Sequence, residues 1–160
     1  MILRLAIILT SALTLLFLTE CGSGCLFPYI AYIDKVEPKI PGLIIKETRG
    51  CGGEISIINN TGEDVYLYDE RGQEYVKITS FTICRKVAGE WRIEAHSNVY
   101  YCLDPRLRYE GPEPKDQKTQ IIKHWSIEGR AGETHFTIIG HTVYEPPCRI
   151  MKWLRRLIFW

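Results

Sequence analysis

The sequence carries almost no net charge, because 20 lysines and arginines stand against 19 aspartates and glutamates and leave a formal charge of +1 at pH 7. A protein without an overall field has no long-range attraction for a polyanion. A nucleic-acid partner is therefore not expected. The hydrophobic fraction of 46%, with nine Tyr and four Trp, excludes a disordered chain and predicts one folded domain after the N-terminal segment.

Sequence motifs that carry catalytic chemistry are also missing. The chain has no G-x-S-x-G elbow, no H-E-x-x-H zinc motif, no G-x-x-x-x-G-K-[ST] phosphate loop and no dinucleotide fingerprint. It has no C-x-x-C pair, which argues against a compact zinc site and against dithiol redox catalysis. We therefore predict no catalytic residue, no metal site and no cofactor.

Histidine is scarce, and the four that occur are the residues on which an enzyme would depend. His135 and His141 are six residues apart in one predicted strand, so both point to the same face. Six residues of strand span ~20 Å, too far for both side chains to bind one metal ion. An enzyme would need these two, His96 or His124 to converge in a cleft with a carboxylate or a cysteine.

A long hydrophobic run is lacking as well, but a shorter one opens the chain. Arg4 precedes an uncharged apolar segment from Leu5 to Thr19, which as a helix would rise ~22 Å, less than the ~30 Å hydrocarbon core of a membrane. This pattern is typical of an export signal. Residues 1–25 are predicted to be a signal peptide or membrane anchor helix, with an uncleaved anchor as the alternative to cleavage or lipidation.

Two cysteines after this run resemble the lipid-accepting residue of a lipoprotein. Leu18 supplies the apolar residue that a lipoprotein signal has three positions before its cysteine, here Cys21. Glu20, however, stands where the signal peptidase requires a small side chain. Cys25 follows small residues but lacks the apolar one. Lipidation at Cys25 leaves four cysteines, an even number, so parity favours Cys25, with Cys21 as the alternative, or else no lipid and all six cysteines paired.

The remaining cysteines are predicted to form disulfides, because export would expose them to an oxidising compartment. Four cysteines allow three connectivities, and their spacing does not choose among them. The candidates are Cys51, Cys84, Cys102 and Cys148.

Short β-branched and aromatic runs separated by turn residues follow the N-terminal region. Residues 26–41 hold three prolines and are predicted to be a tether that lends at most a short edge strand, and residues 42–145 to be the domain. Val87 to Glu90 predicts a hairpin turn, with Trp91, Ile93 and Ala95 on one face of the strand that follows. Seven to nine strands without a helix predict an antiparallel β-sandwich, interrupted by an exposed charged loop from Asp104 to Lys118.

Turn and strand signals recur in four segments of this region: Asn59 to Val65, Thr82 to Trp91, Thr119 to Trp125, and Ala131-Gly132 leading into Phe136 to Ile138. In these segments the region resembles the immunoglobulin-like domains of prokaryotic exported lipoproteins. The similarity covers Gly42 to Tyr144, and the long loop and the cysteines depart from it. It implies an all-β, immunoglobulin-like sandwich that acts as a non-catalytic module, with no functional residues to transfer.

One sequon and the C-terminal segment complete the candidate sites. Asn59-Asn60-Thr61 makes Asn59 a candidate glycosylation site. Residues 146–160 have apolar side chains at helical spacing opposite basic ones, which predicts a short amphipathic helix that packs on its own domain, on the membrane or on a partner. Its contact residues are Trp153, Leu154, Leu157 and Ile158.

These features together predict a β-sandwich module at the cell membrane, facing outwards as a lipoprotein or a signal-anchored protein, or else secreted. The membrane is the expected partner through the N-terminus and through the C-terminal helix, beside an unknown protein. The alternatives are a small secreted inhibitor that presents the loop from Asp104 to Lys118 and a histidine-dependent extracytoplasmic enzyme.

Overall fold

The computed structural model describes residues 28–48, 53–116 and 118–146. The predicted signal or anchor helix lies outside these residues, and so does the predicted C-terminal helix apart from its first residue. The described chain forms ten strands and one 3-10 turn, Pro105–Leu107. The strands are β1 Tyr29–Glu37, β2 Leu43–Glu47, β3 Ile55–Asn59, β4 Val65–Tyr68, β5 Glu74–Ile78, β6 Ile83–Val87, β7 Glu90–Ala95, β8 Val99–Cys102, β9 Gln120–Ala131 and β10 Thr134–Tyr144.

The strands form two antiparallel sheets that pack together, as the sequence predicts. Sheet A has seven strands in the order β1-β10-β9-β4-β5-β6-β7, and sheet B has three in the order β2-β3-β8. The described residues contain no helix long and apolar enough to cross a membrane.

The segment from residue 26 to residue 41, predicted as a tether, supplies β1. This nine-residue strand pairs with β10 from Tyr29 opposite Tyr144 to Glu37 opposite Thr137. Prolines at 28, 38 and 41 stand at or beyond its ends, where a missing backbone N–H costs no ladder hydrogen bond. The compact sandwich unit therefore begins at Tyr29 rather than at Gly42.

Alternation of side chains along the two longest strands sets the core. In β9, Trp125 and Ile127 face sheet B, and in β10 Phe136 and Ile138 do the same. They pack against buried residues of sheet B such as Ile57. Burial of these apolar side chains between the sheets is the main favourable term in folding.

The hairpin of β9 and β10 is longer than its turn residues predict. The sequence places a turn at Glu128 to Gly132, but β9 continues to Ala131 and the chain turns at Gly132. Gly129 makes this continuation feasible, because a Cβ there would collide with the Phe136 ring and with the backbone oxygen of Tyr66. The glycine thus serves a close approach within the sheet rather than a turn.

Candidate functional site

The residues predicted to be lipidated or to contact the membrane lie outside the described residues. This applies to the lipidation candidates Cys25 and Cys21 and to the four apolar contact residues of the C-terminal segment, Trp153, Leu154, Leu157 and Ile158. Their roles stay predictions.

The predicted disulfides are not seen where the structure describes a cysteine. Cys84 is half-buried, Cys102 is buried, and both thiols are free. Cys102 is packed in the core, and this burial raises the pKa of its thiol to about 11, so little thiolate is present at neutral pH. Cys51 and Cys148 lie outside the described residues.

The predicted glycosylation site at Asn59 is contradicted by its burial. Its side chain is 1% exposed, and its Nδ2 donates to the backbone oxygens of Glu63 and Ile78 at 2.8 and 2.7 Å. Its Oδ1 accepts from the backbone N–H and the hydroxyl of Thr61. A glycan replaces one of the two Nδ2 hydrogens, so it would break one of these donated bonds, and the buried nitrogen leaves no room for a sugar, so Asn59 is a structural residue of the fold.

Two of the four histidines meet on the outer face of sheet A. His124 in β9 lies directly opposite His141 in β10, with ring centroids 6.1 Å apart. The Nδ1 of His141 is 2.8 Å from the Oδ1 of Asp34, and the Tyr32 ring stacks on His141 at 5.5 Å. A β-bulge between Ile33 and Lys35 inserts Asp34 into β1 and thus places its carboxylate there.

The other two histidines lie away from this pair. His135 is on the same outer face, as its spacing from His141 predicts, but its ring stacks on Tyr68 at 6.1 Å. His96 follows the end of β7. No group of three or more His, Cys, Asp or Glu side chains that could hold a metal ion is present among the described residues.

A buried polar network holds the start of the loop that was predicted to be exposed. Arg106 donates to both carboxylate oxygens of Asp104, at 2.8 and 2.7 Å, and to the backbone oxygen of Tyr68 at 2.7 Å. The Tyr75 hydroxyl also donates to Asp104 at 2.8 Å. Asp104 and Leu107 are buried, whereas much of the loop after Arg108 is exposed. The network therefore fixes the 3-10 turn to sheet A.

Burial and hydrogen bonding act in opposite directions on the Asp104 carboxyl. Burial by itself would raise its pKa, but the hydrogen bonds from the Arg106 guanidinium and backbone N–H and from Tyr75 outweigh that effect and hold the pKa below the ordinary value. Burial raises the pKa of the Tyr75 hydroxyl far above its usual value, so this group remains a donor at all physiological pH.

Several exposed apolar side chains of sheet A lie on or next to β6 and β7, and one more, Ile121, lies on β9. Here β6 and β7 form a hairpin whose two-residue turn is Ala88-Gly89, both with positive φ, as Val87 to Glu90 predicts. Trp91 is 36% exposed and Ile93 is 62% exposed, and Phe81, which precedes β6, reaches 80%. We call β6, β7 and their turn the edge hairpin.

The outer strand of the edge hairpin, β7, is its exposed part, whereas in β6 Ile83 is buried and Arg85 donates to the Tyr100 hydroxyl of sheet B at 3.4 Å. Within the described residues β7 pairs with β6 alone, and all its residues except Ala95 are exposed on both faces. Trp91 and Ile93 lie opposite Lys86 and Cys84 on the outer face, where Trp91 meets the Tyr66 ring edge-on at 5.9 Å. Ala95 instead packs near the core, contrary to the prediction, because a bulge between Ile83 and Cys84 changes the facing of the strand.

Charged side chains line the opposite face of the edge hairpin. Arg85 binds Glu94 at 3.0 Å, and Arg92 lies directly opposite Arg85 in the ladder. Sequence reasoning predicted the strand and its turn but missed the edge position, because the apolar residues Trp91 and Ile93 at alternate positions are also typical of a strand with one buried face. The paired like charges at Arg85 and Arg92 were the available signal against burial.

Comparison of this chain with protein-family models, with curated proteins and with solved structures finds no match. Any function for the chain therefore has to come from the geometry of its own residues.

Proposed function

We propose that this chain is a non-catalytic, extracytoplasmic β-sandwich module that is held at the membrane by its N-terminal segment and binds a protein partner. The observation that carries the proposal is the edge hairpin. Its strand β7 is exposed on both faces and carries exposed Trp91 and Ile93, and Phe81 before β6 is exposed as well. Edge strands of soluble proteins are normally short, charged or covered, and an exposed apolar one is a site for pairing with another chain.

The composition of the edge hairpin supports protein binding. Tryptophan and arginine are the residue types most enriched among those that dominate binding energy at protein interfaces. Trp91 is held between the Lys86 ammonium, 5.4 Å from its ring, and the Tyr66 ring. Side chains fixed in this way lose little rotamer freedom when a partner binds.

The immunoglobulin-like character of the module is part of the same proposal. Two packed antiparallel sheets support it, although the strands divide seven and three, whereas a constant-type immunoglobulin domain divides them four and three. The anchoring part is supported by Arg4 and the apolar run after it, with lipidation at Cys25 as the expected modification.

Capture of the full-length chain from membranes tests the binding role. The wild type should retain a partner, and the double variant with Trp91→Lys and Ile93→Lys should lose it, because two new ammonium groups would have to be desolvated in the interface. Ile121→Lys is the matched control, since Ile121 is 53% exposed on β9. Equal retention by both variants would contradict a role for the edge hairpin. The intact mass of the same sample tests the anchor, because an unmodified chain that begins at Met1 would exclude cleavage and lipidation.

A histidine-dependent enzyme is the second candidate, favoured by the contact between His141 and Asp34. A carboxylate on Nδ1 orients an imidazole, as in hydrolytic triads. Among the described residues, however, no serine, threonine or cysteine side chain forms a hydrogen bond with His141. Activity of the wild type towards ester, amide or phosphate substrates that is lost in His141→Ala and kept in His96→Ala would establish the enzyme. Equal activity of the two variants would exclude it.

A further inference from the structure

We infer that the partner of the edge hairpin is a second copy of this chain, with β7 pairing antiparallel to β7 about Trp91. The inference rests on the proposed binding role of the edge hairpin and names its occupant. The two copies would then share one continuous sheet through their β7 strands, and the outer face of one copy would continue into the outer face of the other.

The alternation of faces restricts how two copies of β7 can pair. Residues directly opposite each other in a ladder share a face, so Trp91 and Ile93 must oppose outer-face residues, and Glu90 and Arg92 must oppose residues of the other face. Registers that oppose Trp91 to Arg92 are therefore excluded. Three registers keep these faces for the residues before the bulge, centred on Trp91, Arg92 or Ile93.

Charge excludes the register centred on Arg92. It would place Arg92 opposite Arg92 and Glu90 opposite Glu94, and like charges directly opposite each other destabilise a sheet. The same face already contains Arg85 opposite Arg92 within each copy, so this register would place four arginines in one row across the two copies.

The bulge of β7 disfavours the register centred on Ile93. That register pairs Arg92 with Glu94 of the second copy, but Glu94 is the extra residue of the bulge between Ile83 and Cys84. Its carboxylate is already bound by Arg85 through two hydrogen bonds of 3.0 and 3.3 Å. The ladder would have to cross the bulge, and Glu94 would have to leave a formed ion pair.

The register centred on Trp91 meets every requirement. It pairs Glu90 of each copy with Arg92 of the other, so the two chains form two opposite-charge pairs across the new ladder. Within the described part of the chain Arg92 has no carboxylate at ion-pair distance, and Glu94 is bound to Arg85. The second copy would thus supply the counter-charge that Arg92 lacks.

Apolar contacts also favour the register centred on Trp91. Trp91 lies opposite Trp91, and Ile93 lies diagonal to Trp91 of the other copy, a separation that aromatic side chains bridge. Ile93 faces Gly89 directly, a turn residue without a side chain that leaves room for it. The pairing uses residues 89–93 and ends before the bulge.

Photo-crosslinking of the full-length chain in membranes tests the inference. A photoreactive amino acid at position 91 should give a product of twice the chain mass, while the same group at position 121 gives none. Glu90→Arg alone and Arg92→Glu alone should each reduce this product about tenfold, since each creates two like-charge pairs. Co-expression of the two single variants should restore the product, because their charges complement each other, and so should the double variant.

Each other outcome has a defined meaning. A crosslink from position 91 to a protein of different mass would overturn self-pairing and keep the proposed binding role. No product at position 91 above that at position 121 would overturn both. A double-mass product that is unchanged by either charge reversal would overturn the Trp91 register. Equal thermal unfolding midpoints of the variants and the wild type check that each variant is folded.

Discussion

The side-chain nitrogen of Asn59 lies 2.7 Å from the backbone oxygen of Ile78, which joins the end of β3 in sheet B to the end of β5 in sheet A. The same nitrogen donates to the backbone oxygen of Glu63, and the side-chain oxygen accepts from Thr61. One buried amide thus holds the turn after β3 and connects the two sheets.

Asn59→Ala should lower the free energy of unfolding by about 2 kcal/mol, because it removes the hydrogen bonds that the buried side-chain nitrogen donates to the backbone oxygens of Ile78 and Glu63. Urea titration of the full-length chain measures this loss. Asn60→Ala is the matched control, since Asn60 is adjacent and its exposed side chain accepts a single hydrogen bond, from Asn98 Nδ2 at 2.9 Å, so its loss should cost only about 0.5 kcal/mol. Equal effects of the two variants would contradict the structural role of Asn59.

Asp104 should make the domain lose stability in acid. Its folded pKa lies below the ordinary value of 3.8, so its stabilisation is complete above that value and is lost as the pH falls below it. Asp104→Asn cannot titrate. The difference in free energy of unfolding between wild type and variant should therefore be largest near pH 7 and should shrink below about pH 4. A difference that stays constant across this range would show that the Asp104 pKa is not lowered.

Arg106→Ala should be the most destabilising of these substitutions. It removes the guanidinium that binds both oxygens of the buried Asp104, and loss of one member of a buried ion pair costs about 3 kcal/mol or more. Arg108→Ala, with an exposed side chain two residues later, should have little effect. In a double-mutant cycle, Asp104→Asn should recover part of the loss, because it removes the uncompensated charge. Strict additivity would mean that the two side chains do not interact.

Alkylation of native protein should distinguish the two described cysteines. Cys84 is half-buried and should react with iodoacetamide faster than Cys102, whose thiol is buried and has a pKa of about 11. Peptide mass spectrometry at pH 8 measures both rates, and urea should make the rates similar. If neither cysteine reacts in urea until a reductant is added, both are in disulfides and the free thiols of the structure are contradicted.

Local sequence was sufficient where the determining residues are neighbours. Val65 to Tyr68 alternates and forms β4, with Val65 and Leu67 buried, and Ala88-Gly89 turns the chain between β6 and β7. Turn type and side-chain alternation depend on residues only a few positions apart, so a single sequence displays them.

The same reasoning failed where the determining residue is distant in the chain. Asn59 has the appearance of a surface turn residue, yet Ile78 decides its burial from 19 positions away. Gly129 has the appearance of a turn glycine, yet it lies within β9. A glycine is needed there because the Phe136 ring and the Tyr66 backbone oxygen leave no room for a Cβ. Asp34 and His141 are separated by 107 positions, and only the pairing of β1 with β10 brings them together.

The sequence by itself determined the all-β class, the turn between β6 and β7 and the absence of any recognisable catalytic motif, because these follow from composition and short-range pattern. The tertiary structure decided which strand became the edge of the large sheet, and that Trp91 and Ile93 lie on the outer face of that sheet, turned away from sheet B. Side-chain alternation shows which residues share a face, but only the packing of the two sheets decides which face is covered and which strand lies at the edge.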